Sequence, residues 1–274
     1  MTITHIIILL VTGIGTGFAG GLLGLGGAFI MGPVQYAVFT NMGIPADMAI
    51  KLAFGTNLLV ILPTAISGTW RHHKEGAVFW KAAIIMGSCS LIGAFGGATI
   101  ASHLPGVVLK IAFGAIVLGA AIRMLTSRPP QIGEEPRENP WLWVAWALPL
   151  GIVAGLLGIG GGVLVIPVMT LALRFKMHNA IATSLAMMIL TSTGGIIGYI
   201  INGIGVPDLP AYCIGYVHLQ SWFLLTVTSI GMVQVGAITA HRLPAKQLRY
   251  IFVAVMFYLG LRMVGLFDWL GWPI

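Results

Sequence analysis

Charge is what this sequence has least of: Asp, Glu, Lys and Arg make up 8% of its 274 residues, against 58% hydrophobic. A soluble fold would lack the polar surface to cover itself, so most of the outer face is expected to meet lipid. The acids are scarcest. There are seven, Asp47, Glu75, Glu134, Glu135, Glu138, Asp208 and Asp268, and all fall in loops, in a linker or at the ends of apolar runs. No carboxylate is expected at mid-membrane, where cation carriers and proton relays place one. That lowers the case for a metal or sodium transporter and raises it for a carrier of an anion or a neutral solute. Cysteine is nearly absent too: Cys89 and Cys213 form no CxxC pair, so neither a zinc site nor a disulfide framework is expected. The chain has no GxxxxGK[ST] loop, which excludes self-powered ATP hydrolysis. The first apolar stretch, residues 3–25, has no basic lead-in and is rich in Gly, so it reads as a retained span rather than a cleaved signal peptide. No enzyme activity, cofactor or metal is implied.

What charge there is has a pattern. Fourteen Lys and Arg against seven acids give +7, which in a soluble protein would raise nucleic-acid binding. Here the cations sit in short turns between apolar runs: Arg71 and Lys74, Arg174 and Lys176, and Arg242, Lys246 and Arg249. That is how the positive-inside rule marks cytoplasmic turns, and it disfavours nucleic acid.

The chain also repeats itself. Gly21-Leu-Leu-Gly-Leu-Gly-Gly with Pro33 matches Gly155-Leu-Leu-Gly-Ile-Gly-Gly-Gly with Pro167. Gly55-Thr-Asn-Leu with Thr64 faces Ala182-Thr-Ser-Leu with Thr191. Leu104-Pro105, Lys110 and Arg123 face Leu243-Pro244, Arg249 and Arg262 at one constant offset. The expected organisation is a first transmembrane repeat over 1–126, a polar linker over 127–140 carrying Pro129, Pro130 and Pro136, and a second repeat over 141–274. Each repeat reads as five apolar helical segments, at roughly 4–24, 27–40, 48–70, 77–101 and 105–126, then 141–158, 161–173, 179–203, 214–240 and 244–267. The fold class is therefore all-α and polytopic. Matching loops carry unlike charge: 71–74 is basic, while its counterpart near Asp208 is not, and Arg174 and Lys176 oppose an uncharged-to-acidic stretch at 41–47. Unlike loops mean inverted repeats, with both termini outside the cytoplasm; a parallel four-plus-four arrangement is the rival.

The chemistry is expected at the duplicated glycines. Gly24, Gly26 and Gly27, and Gly158, Gly160, Gly161 and Gly162, lie between a full-length segment and a short one carrying a Pro. Glycine is costly within a helix, so such a cluster argues for broken or re-entrant backbone, which lipid forbids unless protein or a water-filled cavity surrounds it. Half-helix N-termini at that depth suit an anion. Thr56 with Asn57, and Thr183 with Ser184, are the second duplicated polar feature, able to donate to an oxyanion without carrying charge. The plainer alternative is that such hydroxyls bond back to their own helix. Thr191, Ser192 and Thr193 read as bonding back to their own helix, and the glycines Gly20, Gly93, Gly96, Gly97, Gly194 and Gly195 read as packing. Lys51 and His178, at matching places in the two halves, are candidates for an anion vestibule. His72 and His73 read as solvated loop residues, with His103, His218 and His241 unassigned. Trp70, Trp80, Trp141, Trp143, Trp269 and Trp272 read as interfacial anchors.

On these residues the chain resembles the TauE/SafE family, also called the toluene sulfonate uptake permeases. The glycine runs with their prolines, Gly55-Thr-Asn, Ala182-Thr-Ser and the two Leu-Pro turns carry the resemblance over nearly the whole chain. It implies transport of sulfite, sulfoacetate or another organosulfonate across a bacterial or archaeal inner membrane, often as export. It places substrate contacts at Gly26, Gly27, Thr56 and Asn57, and at Gly160, Gly161, Thr183 and Ser184. Asn57 departs from the family pattern, where Ser is common, so the substrate can differ. The expected function is a secondary carrier of a small sulfur-containing anion by alternating access. Its rivals are a small-anion channel and a membrane thiol- or sulfur-handling protein using Cys89. The sequence leaves the oligomeric state open.

Overall fold

The computed structural model describes residues 1–24, 26–126 and 137–265. Among the described residues ten α-helices run in chain order: α1 (Ile3–Leu23), α2 (Ala28–Asn41), α3 (Ala46–Lys74), α4 (Trp80–His103), α5 (Gly106–Thr126), α6 (Pro140–Leu157), α7 (Gly162–Pro167), α8 (Met177–Gly203), α9 (Leu219–Arg242) and α10 (Ala245–Val264). Seven of them, α1, α3, α4, α5, α6, α8 and α9, are long and apolar enough to cross a bilayer. The chain is an all-α polytopic membrane protein. The charged linker lies, up to residue 136, outside the described residues, as do Trp269, Trp272 and Asp268.

The helix ends follow from local chemistry. Asn139 accepts the Trp141 N–H and Pro140 takes the first helical position, which together start α6. Both α1 and α6 stop at a left-handed glycine, Gly24 and Gly158. Segment 161–173 differs from its reading as one short helix: α7 ends at Pro167 and continues as a π-helical stretch, Val168–Ala172. Proline has no N–H for the α ladder, and a wider turn accommodates the loss; α2 carries Pro33 without that switch. The apolar run read as a span from 214 begins instead with a two-stranded hairpin, Cys213–Ile214 paired with Val217–His218. Its turn needs the positive φ of Gly215, and α9 starts only at Leu219.

α3 and α8 form the middle of the molecule, each with most of its length enclosed by protein, unlike the other long helices. Their contacts run in opposite senses: Gly55 meets Tyr199, Leu58 meets Gly195 and Gly68 meets Leu185. By contrast α3 and α9 run together, with Leu59 beside Trp222 and Ser67 beside Ile230. The same holds for α1 with α9, where Gly13 meets Leu225, Gly17 meets Ser229 and Gly21 meets Val233. α4 runs along α6, with Gly151 on Ser90 and Gly155 on Ala94, and along α8, with Gly87 on Leu190 and Gly194 on Leu91. Thus α1, α3 and α9 point one way and α4, α6 and α8 the other. The basic turns converge at one end, where His72, His178 and His241 lie side by side and Asn179 donates to Ala77 O.

These parallel pairs are backbone-close because one member offers a glycine, the small-residue packing that membrane helices use in place of a hydrophobic drive. Gly93, Gly97, Gly194 and Gly195 fit the packing reading, each with a neighbouring helix where a side chain would be; Gly96 does not, since it faces open space. Trp70, Trp80 and Trp141 are exposed at helix ends as anchors should be, but Trp143 is wholly buried and donates its indole N–H to Arg137 O. Gly97 and Gly96 therefore make a matched pair. A methyl on Gly97 would overlap the Ile152 carbonyl, so Gly97→Ala should lower the thermal unfolding temperature in detergent, whereas Gly96→Ala should leave it unchanged or raise it, a helical Gly→Ala gain of up to about 1 kcal/mol.

Candidate functional site: two glycine breaks on a shared core

Between α1 and α2, Gly24, Gly26 and Gly27 have φ of 69°, 63° and 78°; between α6 and α7, Gly158, Gly160 and Gly161 have 62°, 66° and 100°. Both sets are left-handed positions that an L side chain resists. Each break is closed over by the central helix of the opposite half. Gly24 lies on Ile181 and Ser184 of α8, and Gly158 lies on Phe54 of α3. The two breaks then meet on one residue. A side chain on Gly26 would touch Ile61 Cγ2 at 3.1 Å, and one on Gly160 would touch Ile61 Cδ1 at 2.9 Å. Met188 Sδ lies beside Gly26, and Thr191 beside Gly161. Gly162 is buried as the first residue of α7. Of the predicted glycines, Gly26 and Gly160, from opposite halves, thus share Ile61, with Met188 beside Gly26; Gly27 packs on Thr16 and Gly161 on Val165 and Ala154 of its own half.

The polar residues divide into three kinds. Thr56 Oγ1 accepts the backbone N–H of His218, the residue that caps α9, at 2.9 Å. Thr183 Oγ1 does the same for Phe79, which precedes α4, at 3.0 Å. Each hydroxyl therefore fixes the start of a helix from the other half, and keeps its own proton for donation. Ser184 Oγ donates to Gly24 O at 3.0 Å and so holds the first break. Thr64 and Thr191 bond back to carbonyls of their own helices, as the plainer reading holds, and so does Thr193.

Five buried polar atoms have no hydrogen-bond partner among the described residues, Gln35 Oε1, Thr69 Oγ1, Arg71 Nε, Ser192 Oγ and Thr226 Oγ1, and two of them bear on the predicted site. Gln35 donates its Nε2 to Asn57 Oδ1 at 2.6 Å, leaving its own Oε1 unpaired, and Ser192 Oγ is unpaired 3.4 Å from where a Gly160 side chain would stand. Both residues are fully buried. An unpaired buried polar atom costs about 1–3 kcal/mol, so each calls for an explanation; Gln35 Oε1 can only accept, whereas Ser192 Oγ has a proton to donate. Gln35 was not among the residues singled out from sequence; its signal is an amide in a short apolar helix after a glycine run. Ser192 does not bond back to its own helix as expected, and a hydroxyl beside two threonines that do gives no hint that it alone misses its helix.

The vestibule candidates lie at opposite ends. Lys51 is buried and paired to Asp47 at 3.0 Å, and Asp47 also accepts the Gly106 N–H that starts α5. A cavity of about 360 Å³ opens beside this pair, lined by Tyr36, Asp47, Gly106, Lys110 and Met263. His178 is at the basic end and bonds the carbonyls of Ala240 and Leu243. Cys89 is half-buried in apolar company that includes Trp143 and Met86. Burial pushes the Cys213 thiol up to about 11, which keeps it protonated.

The sulfite exporter TauE/SafE profile matches residues 9–263, all but the two ends of the chain. The chain belongs to the TauE/SafE family. A probable membrane transporter protein of Methanocaldococcus jannaschii is 30% identical to this TauE/SafE chain, covering 94% of each. A probable membrane transporter protein of Haemophilus influenzae is 26% identical over 95% of this chain and 98% of its own. A third, YunE of Bacillus subtilis, is 29% identical over 72% and 79%. No solved structure matches. With its relatives and its seven apolar helices, the chain is a multi-pass membrane protein of a family of probable membrane transporters.

The threonine bonds give a direct test. Thr56→Val and Thr183→Val should each strand a backbone N–H and cost about 1–3 kcal/mol of stability, read as a lower unfolding temperature, while Thr56→Ser and Thr183→Ser should retain most of it.

Proposed function

We propose that the chain is a secondary carrier of a small sulfur-containing anion, sulfite, sulfoacetate or another organosulfonate, working by alternating access. The observation that carries this reading is the meeting of two glycine breaks, one from each half, on Ile61. The free N–H groups of broken helices are positive, and an oxyanion is what they suit. Gly26, Gly27, Gly160, Gly161 and Gly162 provide backbone; Ser192 and the amide of Asn57, whose Oδ1 is held by Gln35, provide neutral donors; Thr56, Thr183 and Ser184 hold the frame and keep it in register. Among the described residues the acids lie at helix ends or in loops, which favours an anion over a cation.

The two halves, 1–126 and 141–274, act as inverted repeats. The opposed course of α3 and α8, and of α1 against α6, supports this over a parallel arrangement, and contacts recur in pairs: Gly17 on Ser229 with Gly151 on Ser90, Thr56 on His218 with Thr183 on Phe79. The end that gathers Arg71, Lys74, Arg174, Lys176 and Arg242 faces the cytoplasm, which puts the start of α1 outside. Rocking of one half against the other opens the site to either side in turn, with Ile61 and Met188 withdrawing to admit the anion.

Ser192→Ala separates binding from structure. Counterflow of labelled sulfite or sulfoacetate in liposomes should weaken, with apparent affinity falling on the order of 10- to 100-fold for one lost charge-assisted bond. The unfolding temperature should hold or rise, since an unpaired hydroxyl is removed. Undiminished affinity would remove Ser192, and with it the second break, from the site.

A further inference from the structure

At the basic end three imidazoles stand together. His72 of α3 is fully enclosed; its Nε2 lies 3.2 Å from Gly21 O and its Nδ1 lies 2.9 Å from His241 Nε2 of α9. The His178 ring, on α8, stacks on His241 with 5.9 Å between centroids. The protons can be assigned. Gly21 O only accepts, so His72 Nε2 carries hydrogen; His72 Nδ1 then accepts, and His241 Nε2 is the donor. His178 Nε2 likewise donates to Ala240 O and Leu243 O.

The internal repeat supplies the comparison. The counterpart of His72 is Tyr199, whose hydroxyl donates to Leu156 O in the last turn of α6, as His72 donates to Gly21 O in the last turn of α1. The counterpart of His178 is Lys51, paired to Asp47, and that of His241 is Ser102, bonded to its own helix. One end thus makes with a phenol, an ion pair and a serine what the other makes with three titratable rings. Packing alone does not require that difference.

We propose, resting on the carrier reading above, that His72 and His241 share the proton to which anion movement is coupled. The proton enters from the cytoplasmic side at His241 Nδ1, the hydrogen on His241 Nε2 passes to His72 Nδ1, and His241 is left neutral with its hydrogen on Nδ1. His72 becomes an imidazolium that donates to both Gly21 O and His241 Nε2. It sits at the negative end of α1, and its bond to Gly21 O becomes charge-assisted, about twice as strong as the neutral one. That bond grips α1 three residues before Gly24, so the charge bears on the first glycine break. The groups facing the pair are Arg71 and Glu75, which pair at 2.6 Å on α3, His178 on α8, and Arg242 beyond His241 on α9; Arg174 and Lys176 precede α8, His73 and Lys74 end α3, Lys246 is on α10, and α1 offers carbonyls only. His178 against His241 makes a second proton unfavourable, so the site takes one.

Two experiments decide it. In ¹⁵N-histidine-labelled protein in nanodiscs, the His72 and His241 signals should move together in one step as pH falls, and His241 should titrate as a lone histidine in His72→Gln, whose amide still reaches Gly21 O. Separate steps, or no titration above about pH 5, overturn the shared proton. In liposomes, a gradient of sulfoacetate, which does not titrate near neutral pH, should drive proton movement seen by an enclosed pH dye. His72→Gln and His241→Gln should lose the proton movement and keep sulfoacetate-for-sulfoacetate exchange. Sulfoacetate uptake without proton movement in the native protein, or coupled movement undiminished in both variants, overturns the coupling and leaves the carrier standing. Absence of any sulfoacetate flux strikes the carrier reading instead, and the titration alone then decides the proton site.

Discussion

Backbone that leaves its hydrogen-bond ladder inside a bilayer must be covered by protein, since lipid offers it no partner. Two stretches here leave the ladder, around Gly24–Gly27 and Gly158–Gly161, and the rest of the structure is arranged to enclose them. α3 and α8 lie through the middle because each covers the break of the opposite half: Phe54 covers Gly158, and Ile181 with Ser184 covers Gly24. A helix lined up only with its own half would leave the other half's break to lipid. The exchange of partners is therefore a requirement of the broken helices, and the proposed site lies between them.

The same requirement sets the outer helices. α4 packs along α6 and α8, and α9 along α1 and α3, so that each half holds the other. Backbones approach at Gly17, Gly21, Gly97, Gly151, Gly155 and Gly236, where a side chain would overlap the facing chain. Thr56 and Thr183 then fix where α9 and α4 begin. Close packing of this kind is bistable rather than elastic, which suits the alternating access proposed above.

How far the sequence carried depends on whether a feature is local. The glycine runs with their prolines are local, repeat at one spacing, and mark the breaks within a residue or two; most helix ends follow the segments read from apolar length, except at 214, where a hairpin precedes α9, and at 161–173, where α7 gives way to a π-helical stretch. The basic turns are local too, and they gather at one end. What was not legible depends on partners distant in the chain. His72 and His241 are 169 residues apart, and a pair of loop histidines gives no sign of such a bond. Trp143 looks like an anchor until Arg137 O and the inner face of α6 claim it. Thr56 and Thr183 stand out as a duplicated polar pair, but only the fold reveals that the N–H groups they accept belong to helix starts in the opposite half. Gln35 and Ser192 are informative through the partner they lack, and an unmet bond leaves no trace in composition.

The meeting of the two breaks around Ile61 is the claim on which site, symmetry and transport all rest. A density map of the protein in nanodiscs with 2-bromoethanesulfonate, read at the bromine, tests it directly. The account predicts the bromine between Gly26 and Gly160, with Ile61 displaced from both. Bromine bound elsewhere, or α1 and α2 running as one unbroken helix past Gly24, would contradict it.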